Sequence, residues 1–380
     1  MAHASSDVIV VGGGIMGSSA AFFLRQRKRS VTLIERGLVG QQASGTNFGN
    51  VRRQGRFLPQ LPLANRAREI WGRLPELVGE DCEFLPAGHL RICYRPEIVG
   101  QFESYAASAR ALGLELELLT PHMLRERFPY LGAEILAGSY SPTDGHANPR
   151  LLSPAFARAA RQLGAVVEEN TEVLSIQKSG DDFEVETSTG QRYRAPLVLI
   201  AAGAWAGKLS AAFGESVPLT FHGPQMAVTE PARYAIKPSI GVSTPLTEET
   251  VYLRQIPRGN VILGGGTRGP ALPDIRRAYV EPRNMLAQLG QFRRLVPALD
   301  KLNIIRVWSG IESYLPDDIP IMGPSARVAG LYYAFGFCGA GFQIGPGVGD
   351  VMAELMDTGS TSTPIEPFSM ERFQKAAVAA

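Results

Sequence analysis

The segment Asp7-Val8-Ile9-Val10-Val11-Gly12-Gly13-Gly14-Ile15-Met16-Gly17 constrains this chain more than any other. Apolar β-formers run straight into glycines at 12, 14 and 17, and Val31-Thr32-Leu33-Ile34 then ends in Glu35. That order spells strand, tight turn, helix, strand and acid, the opening β-α-β unit of a dinucleotide-binding sheet. Gly12 permits the turn, Gly14 lets the backbone approach a pyrophosphate, and Gly17 lets helix and strand pack closely. The helix start, with Ile15 and Met16 in its first turn, offers unpaired N–H groups and a positive dipole end to phosphates. Glu35, ~20 residues on, is placed to accept from a ribose hydroxyl, with Arg36 beside it.

Bulk properties fit an enzyme rather than a nucleic-acid or membrane protein. A chain of 380 residues, 45% hydrophobic, can bury one large core or two linked ones. The net charge of +2 leaves no electrostatic footprint for nucleic acid or an anionic surface. The basic run Arg25-Gln26-Arg27-Lys28-Arg29 falls where the first helix ends, and there cations complement the dipole. Cys82, Cys93 and Cys338 cannot all pair, and their spacing does not suggest a metal site. Met1–Asp7 is too short and polar for a signal peptide, and no apolar run reaches spanning length. A cytoplasmic location is expected.

Further along, Gly40–Asn50 is small and polar, too Gly-rich for an ordinary helix interior, and suited to bring backbone N–H groups near a cofactor. A plain surface loop is the alternative. The spacing predicts helices over 61–77 and 97–112, with a strand over 88–94 between them. From Pro149 the dinucleotide domain is expected to resume, with a helix over 151–163 and strands at 165–168 and 173–176. A hairpin turns at Thr189-Gly190. Leu197–Ile200 is a continuous apolar strand ending in Ala201-Ala202-Gly203-Ala204-Trp205, as a strand buried on both faces of a parallel sheet requires. Residues 218–314 change character: four longer strands and one helix over 282–295 predict a mainly antiparallel sheet. A last apolar strand near 330–337 runs into the Cys338–Gly349 glycine-rich turn and a helix through Met356. Three strand-glycine-helix junctions therefore converge, and a helix start near Gly341 suits negative charge.

These residues together resemble the FAD-dependent amino-acid and amine oxidoreductases, the group of D-amino acid oxidase, glycine oxidase and sarcosine oxidase. The resemblance is carried by Gly12–Gly17 with Glu35, by Ser44-Gly45, by Ala201–Trp205, by Leu315-Pro316-Asp317 and by Phe335–Gln343. Phe48–Arg56 and Trp308-Ser309-Gly310-Ile311-Glu312 look closer to a narrower set, the β subunits of sarcosine oxidase, opine oxidase and D-hydroxyproline dehydrogenase. The fold this implies is α/β: a Rossmann-like FAD-binding domain with an inserted, mainly antiparallel α+β substrate domain. Residues 1–85, 145–217 and 315–380 would form the first, and 86–144 and 218–314 the second. FAD would extend along Gly12, Gly14, Ile15, Met16, Gly17, Glu35, Arg36, Ser44, Gly45, Asn47 and Val173. Its flavin would lie among Ala202, Gly203, Trp205, Gly310, Gly339, Gly341, Phe342 and Gln343. The family's covalent attachment through Cys falls at Gly310 and its FMN-tethering His near Pro149, so the resemblance implies noncovalent FAD, with FMN only in a multi-subunit assembly.

The implied reaction moves a hydride from the carbon bearing nitrogen to the flavin, leaving an imine that hydrolyses. A substrate carboxylate wants the planar donor pair of an Arg. Many family members place one where this chain has Glu312. Two candidates replace it: Arg52, which matches a carboxylate-gripping Arg of monomeric sarcosine oxidase, and Arg254, which alternation puts on one face with Tyr252. The alternatives are a surface salt bridge for Arg254 and a phosphate contact or ion pair for Arg52. Glu312 either meets a substrate ammonium or pairs with a pocket Arg. His222 begins a strand expected to reach the pocket and titrates near neutrality, though a core histidine is the plainer reading. His146 sits on a turn and is read as structural, Gln343 as a neutral partner for flavin or substrate, and Cys338 as an inert thiol.

The substrate expected is a small amino acid or secondary amine of the hydroxy-D-proline, sarcosine or opine type. Two other readings stand beside this one: an FAD-carrying β subunit needing partner chains to pass electrons on, and a flavin-binding protein without catalysis. Feeding a respiratory chain would put the protein at the periphery of an inner membrane.

Overall fold

Val8–Val11 and Val31–Ile34 are buried at every position, so both faces of these strands are covered. The computed structural model, which describes residues 4–373, shows by what. A six-stranded sheet runs in the order Ile321–Pro324, Leu331–Phe335, Leu197–Ile200, Val8–Val11, Val31–Ile34, Val166–Glu168. All neighbours are parallel except the pair Ile321–Pro324 with Leu331–Phe335. On one face lie the helices Ile15–Gln26, Pro149–Gln162 and Gly341–Thr358. Phe22 and Phe156 meet edge to face at 5.5 Å in that layer, and such a pair adds about 0.5–1.5 kcal/mol beyond area burial. Helices at 15–26 and 341–358 cross so closely that a Cβ on Gly349 would collide with Ser19 Oγ.

The other face is covered by a four-stranded sheet, in order Ala4–Ser5, Arg192–Ala195, Asp182–Thr187, Val173–Ser179. Ile176, Phe183 and Val185 from it pack on Ile9, Val11 and Ile200. Its hairpin turns at Thr189-Gly190, where Gly190 takes φ +78°.

A nine-stranded sheet draws on His89–Cys93, Glu117–Leu119 and Ala137–Ser141, and otherwise on strands between Thr220 and Tyr314. It is antiparallel apart from the pairing of Ser239–Val242 with His89–Cys93. Leu90, Ile92, Ile240, Leu253 and Leu263 point to one side, into a core closed by the helix Pro282–Leu295. The alternate residues point the other way. One cross-strand row reads Arg91, Gly241, Tyr252, Gly264, Met226, Trp308. The α/β architecture of the chain, parallel sheet plus antiparallel sheet, is the one its residues announce.

Two local expectations are corrected. The 61–77 helix is two, Leu61–Gly72 and Leu74–Val78: Arg73 leaves helical φ/ψ, and Pro75 has no N–H with which to continue the first helix's ladder. The glycine-rich Gly40–Asn50 segment contains a single helical turn, Ala43–Thr46, where Gly45 fits because a Cβ would collide with the Gly40 carbonyl. No helix among the described residues is long and apolar enough to cross a membrane, and no group of three or more His, Cys, Asp or Glu there is arranged to hold a metal.

Candidate active site

One cavity of about 770 Å³ lies along the carboxyl ends of the parallel strands and continues to the free face of the antiparallel sheet. Ligands bind open parallel sheets at this end because helix starts and loops converge there. The glycine turn forms its floor. Gly12 has φ +106° and lies on the Ala201 backbone, so no side chain is tolerated. Gly17 carries a different constraint, since a Cβ there would run into the Gly12 carbonyl. Gly14 differs from both: a Cβ at Gly14 would meet only Ser44 Oγ, at 3.1 Å. That contact is tight enough that the Ser44 hydroxyl would have to give by a few tenths of an ångström, but no backbone blocks the position, which borders the cavity.

Glu35 closes the turn. Its Oε2 accepts from the Gly13 N–H at 2.7 Å and its Oε1 from the Gly37 N–H at 2.9 Å, leaving lone pairs on both oxygens. The Ile15 N–H donates to Ser44 Oγ at 2.9 Å, which ties the second loop to the helix start. Asn47 spans that loop, donating to the Ala43 and Ser44 carbonyls and accepting from the Gly49 N–H. Arg36 stacks on the Trp205 ring at 3.5 Å, and its buried Nη2 has no partner. An orphaned guanidinium donor beside an open glycine cradle and a carboxylate with spare lone pairs fits a dinucleotide's phosphates and ribose. Val173, Ala202, Gly203, Gly339, Gly341 and Phe342 line the same cavity.

Several expected residues sit elsewhere. Gly17, Gly45 and Gly310 do not line the cavity; they allow backbone contact, Gly310 against Thr46. Gln343 does border the cavity, but its Nε2 donates to the Ala64 carbonyl at 2.8 Å, and its buried Oε1 has no protein partner among the described residues. His222 lies outside the lining, edge-on to Tyr314 at 5.3 Å, and burial lowers its pKa. Alternation does put Tyr252 and Arg254 on one face, yet only Tyr252 reaches the cavity. Arg254 is 4% exposed; its Nε donates to the Phe48 carbonyl at 2.7 Å and its Nη1 faces His146 Nδ1 at 3.4 Å. Its guanidinium is occupied in bracing the second loop, which corrects the expectation that it meets substrate.

Arg52 does line the cavity, with Nη1 donating to the Gln54 carbonyl at 2.6 Å and the rest of its fork unused. Glu312 also lines the cavity, accepting from the Tyr314 hydroxyl at 2.6 Å. Burial raises the Glu312 pKa, against the pull of the Tyr314 hydrogen bond and of Arg268. Tyr252 packs its ring edge-on to Phe48 at 4.7 Å, in room left by Gly264. Cys338 donates to the Gly336 carbonyl and accepts from the Leu315 N–H, and burial pushes its thiol up to about 11. Arg56, His89 and Arg91 also line the cavity and were not anticipated. The signal existed: period-two alternation puts His89 and Arg91 on one face, opposite the apolar Leu90 and Ile92.

The FAD dependent oxidoreductase family model matches residues 7–355. The chain belongs to this family. It is 30% identical to glycine oxidase of Geobacillus kaustophilus, over 96% of this chain and 97% of that one. Sarcosine oxidase subunit beta of Arthrobacter sp is 24% identical over 97% of this chain and 91% of its own. The crystal structure of L-proline dehydrogenase from P. horikoshii superposes with a TM-score of 0.91 at 29% identity, covering 99% of both chains. The protein is thus an FAD-dependent oxidoreductase acting on amino acids or amines.

Proposed function

We propose that the chain oxidises the C–N bond of a small amino acid or secondary amine, of the hydroxy-D-proline, sarcosine or opine type, with its carboxylate on Arg52. One observation carries this: a single cavity joins the glycine fingerprint to Arg52, Tyr252 and Glu312. FAD would be held by Gly12–Met16, Glu35, Arg36, Ser44, Asn47 and the 201–205 and 339–342 turns. When bound it supplies the hydride acceptor, and the protein supplies orientation and electrostatics. Arg52 offers a fork that orients a carboxylate in bidentate fashion. Tyr252 and Phe48 exclude water beside it. Glu312 faces a substrate ammonium in its ionised form, and as the neutral acid donates a hydrogen bond instead.

Noncovalent attachment is proposed on two grounds. Position 310 is a glycine packed on Thr46, and the Cys338 thiol is hydrogen-bonded and held neutral. A second reading, an FAD-carrying subunit that passes electrons to partner chains, draws on the likeness to sarcosine oxidase subunit beta.

The test is anaerobic mixing of purified protein with hydroxyprolines, D-amino acids, sarcosine and opines while the visible flavin band is watched. Bleaching by a member of the panel supports the reading, and readmitted air shows whether oxygen accepts the electrons. A flavin-loaded protein that no member bleaches overturns the substrate assignment. Flavin that stays with denatured protein overturns noncovalent binding.

A further inference from the structure

Three guanidinium groups, Arg52, Arg56 and Arg91, face the cavity without an ion-pair partner among the described residues. The neighbouring carboxylate, Asp144, is taken by Arg53, whose Nε reaches Oδ1 at 3.1 Å. Arg56 spends its donors on the carbonyls of Arg52 and Ala340, at 3.0 and 2.9 Å. Arg52 gives one donor to the Gln54 carbonyl. Arg91 has no hydrogen bond to a protein acceptor there. It lies so close over Gly55 that a Cβ would collide with it, with the Phe102 ring at 5.6 Å on another side.

The three heads share one neighbourhood. The Tyr105 hydroxyl feels all of them and donates nothing to a carboxylate; it accepts from the Arg56 backbone N–H at 3.0 Å. Burial and the Arg52 charge bring Arg91 down to about 10 and Arg56 to about 9, and the same causes, with Arg91 added, keep His89 neutral. Desolvated like charges with no counter-ion are costly unless a ligand brings the anion. One carboxylate satisfies one bidentate fork. Arg52 and Arg91 present two.

We propose that Arg91 is a second anion site in the substrate pocket, so that the substrate class is a diacid amine: an N-carboxyalkyl amino acid or an acidic amino acid. This rests on the reading that Arg52 holds the first carboxylate. The cross-strand row supports it sterically. Arg91 and Tyr252 flank Gly241 on neighbouring strands, and Gly241 leaves the space between them open to a ligand rather than filling it with a side chain.

Redox-inert acids separate binding from turnover. Glutarate and butyrate are titrated into the FAD-loaded protein, read by perturbation of the visible flavin spectrum and by the rise in Tm. The wild type is expected to bind glutarate at least ~tenfold more tightly than butyrate, the size of one added charge-assisted contact. In Arg91→Gln that ratio should fall toward one, and Arg91→Lys should restore part of it. Equal affinities in the wild type, or a ratio unchanged in Arg91→Gln, overturn the proposal while leaving the Arg52 reading intact. If neither acid perturbs a loaded flavin, the carboxylate grip at Arg52 fails, and the second site fails with it. Because Arg91 has no protein acceptor to orphan, and because the wild-type ratio decides by itself, misfolding of a variant does not obscure the result.

Discussion

Arg254 and Phe48, 206 positions apart in the chain, are joined by a 2.7 Å hydrogen bond from a buried guanidinium Nε to a backbone carbonyl. That bond fastens the antiparallel sheet to the loop that follows the dinucleotide fingerprint. A second bond does the same, from Trp308 Nε1 to the Thr46 carbonyl at 2.8 Å. The loop carrying Ser44 and Asn47 is therefore held to the antiparallel sheet at two points. Burial lowers the Arg254 pKa to about 10, so the group is still a cation at neutral pH.

Arg254→Met should accordingly cost stability rather than substrate affinity. Loss of a charge-assisted bond to a buried carbonyl costs ~1.5–3 kcal/mol, read as a drop in Tm. KM should move little beside the change in Arg52→Met. A raised KM at unchanged Tm would return Arg254 to the substrate.

For Arg52→Met the expectation is the reverse: kcat/KM falls by ~10–150-fold, equivalent to ~1.5–3 kcal/mol, with a small change in Tm. The measurement is steady-state kinetics on whichever substrate bleaches the flavin. Unaltered kcat/KM would remove Arg52 from the carboxylate role.

Glycines 14 and 17 should fail in different ways. Gly17→Ala collides with the Gly12 carbonyl and should unfold readily, with a clear loss of Tm. Gly14→Ala meets only the Ser44 hydroxyl, which must give by a few tenths of an ångström; it should fold, yet lose flavin, because its methyl group occupies cofactor space. Flavin-to-protein ratio and Tm are measured together. Full flavin content in Gly14→Ala would refute the cradle.

His146 supplies a pH dependence whose sign follows from its burial. It is 1% exposed, with Nε2 unpartnered, and burial followed by the Arg254 charge lowers its pKa to about 3. In the unfolded chain it titrates near ~6.5. Between those values the unfolded state binds a proton that the folded state does not. Stability is therefore complete above the unfolded value and is lost as pH falls toward about 3, by up to ~1.4 kcal/mol per unit. His146→Asn should flatten the Tm profile through that window. Parallel profiles for the two proteins would contradict the assignment.

Glu312 should appear in kinetics instead. With its pKa raised by burial, it ionises above the ordinary carboxylate range, and an ammonium substrate gains its partner only then. The acid limb of kcat/KM against pH should be present in the wild type and absent in Glu312→Gln. A limb that survives the substitution belongs to another group.

Much of this was legible in the chain. Gly12, Gly14, Gly17 and Glu35 announce the nucleotide end because the constraints on them are local: a positive φ, a close backbone approach, an acid at a strand terminus. Continuous apolar strands announce a covered parallel sheet, and alternation correctly pairs Tyr252 with Arg254 on one face. What local pattern does not carry is the length and aim of side chains across long sequence separations. Arg254 and Tyr252 share a face, but the Phe48 carbonyl captures one and Gly264 makes room for the other in the cavity. Gln343 borders the cavity yet commits its Nε2 to the Ala64 carbonyl, and Gly310 makes room for the Thr46 side chain. The arginine cluster forms because strand pairing brings residue 91 beside 241 and the loop at 52–56 folds over it, an arrangement of non-local contacts. The sequence by itself determined the sheets, the turn chemistry and the cofactor class, since short-range sterics and periodicity encode them. The tertiary structure alone decided which cations meet ligand and which brace the fold, since that depends on which buried acceptor each guanidinium finds first.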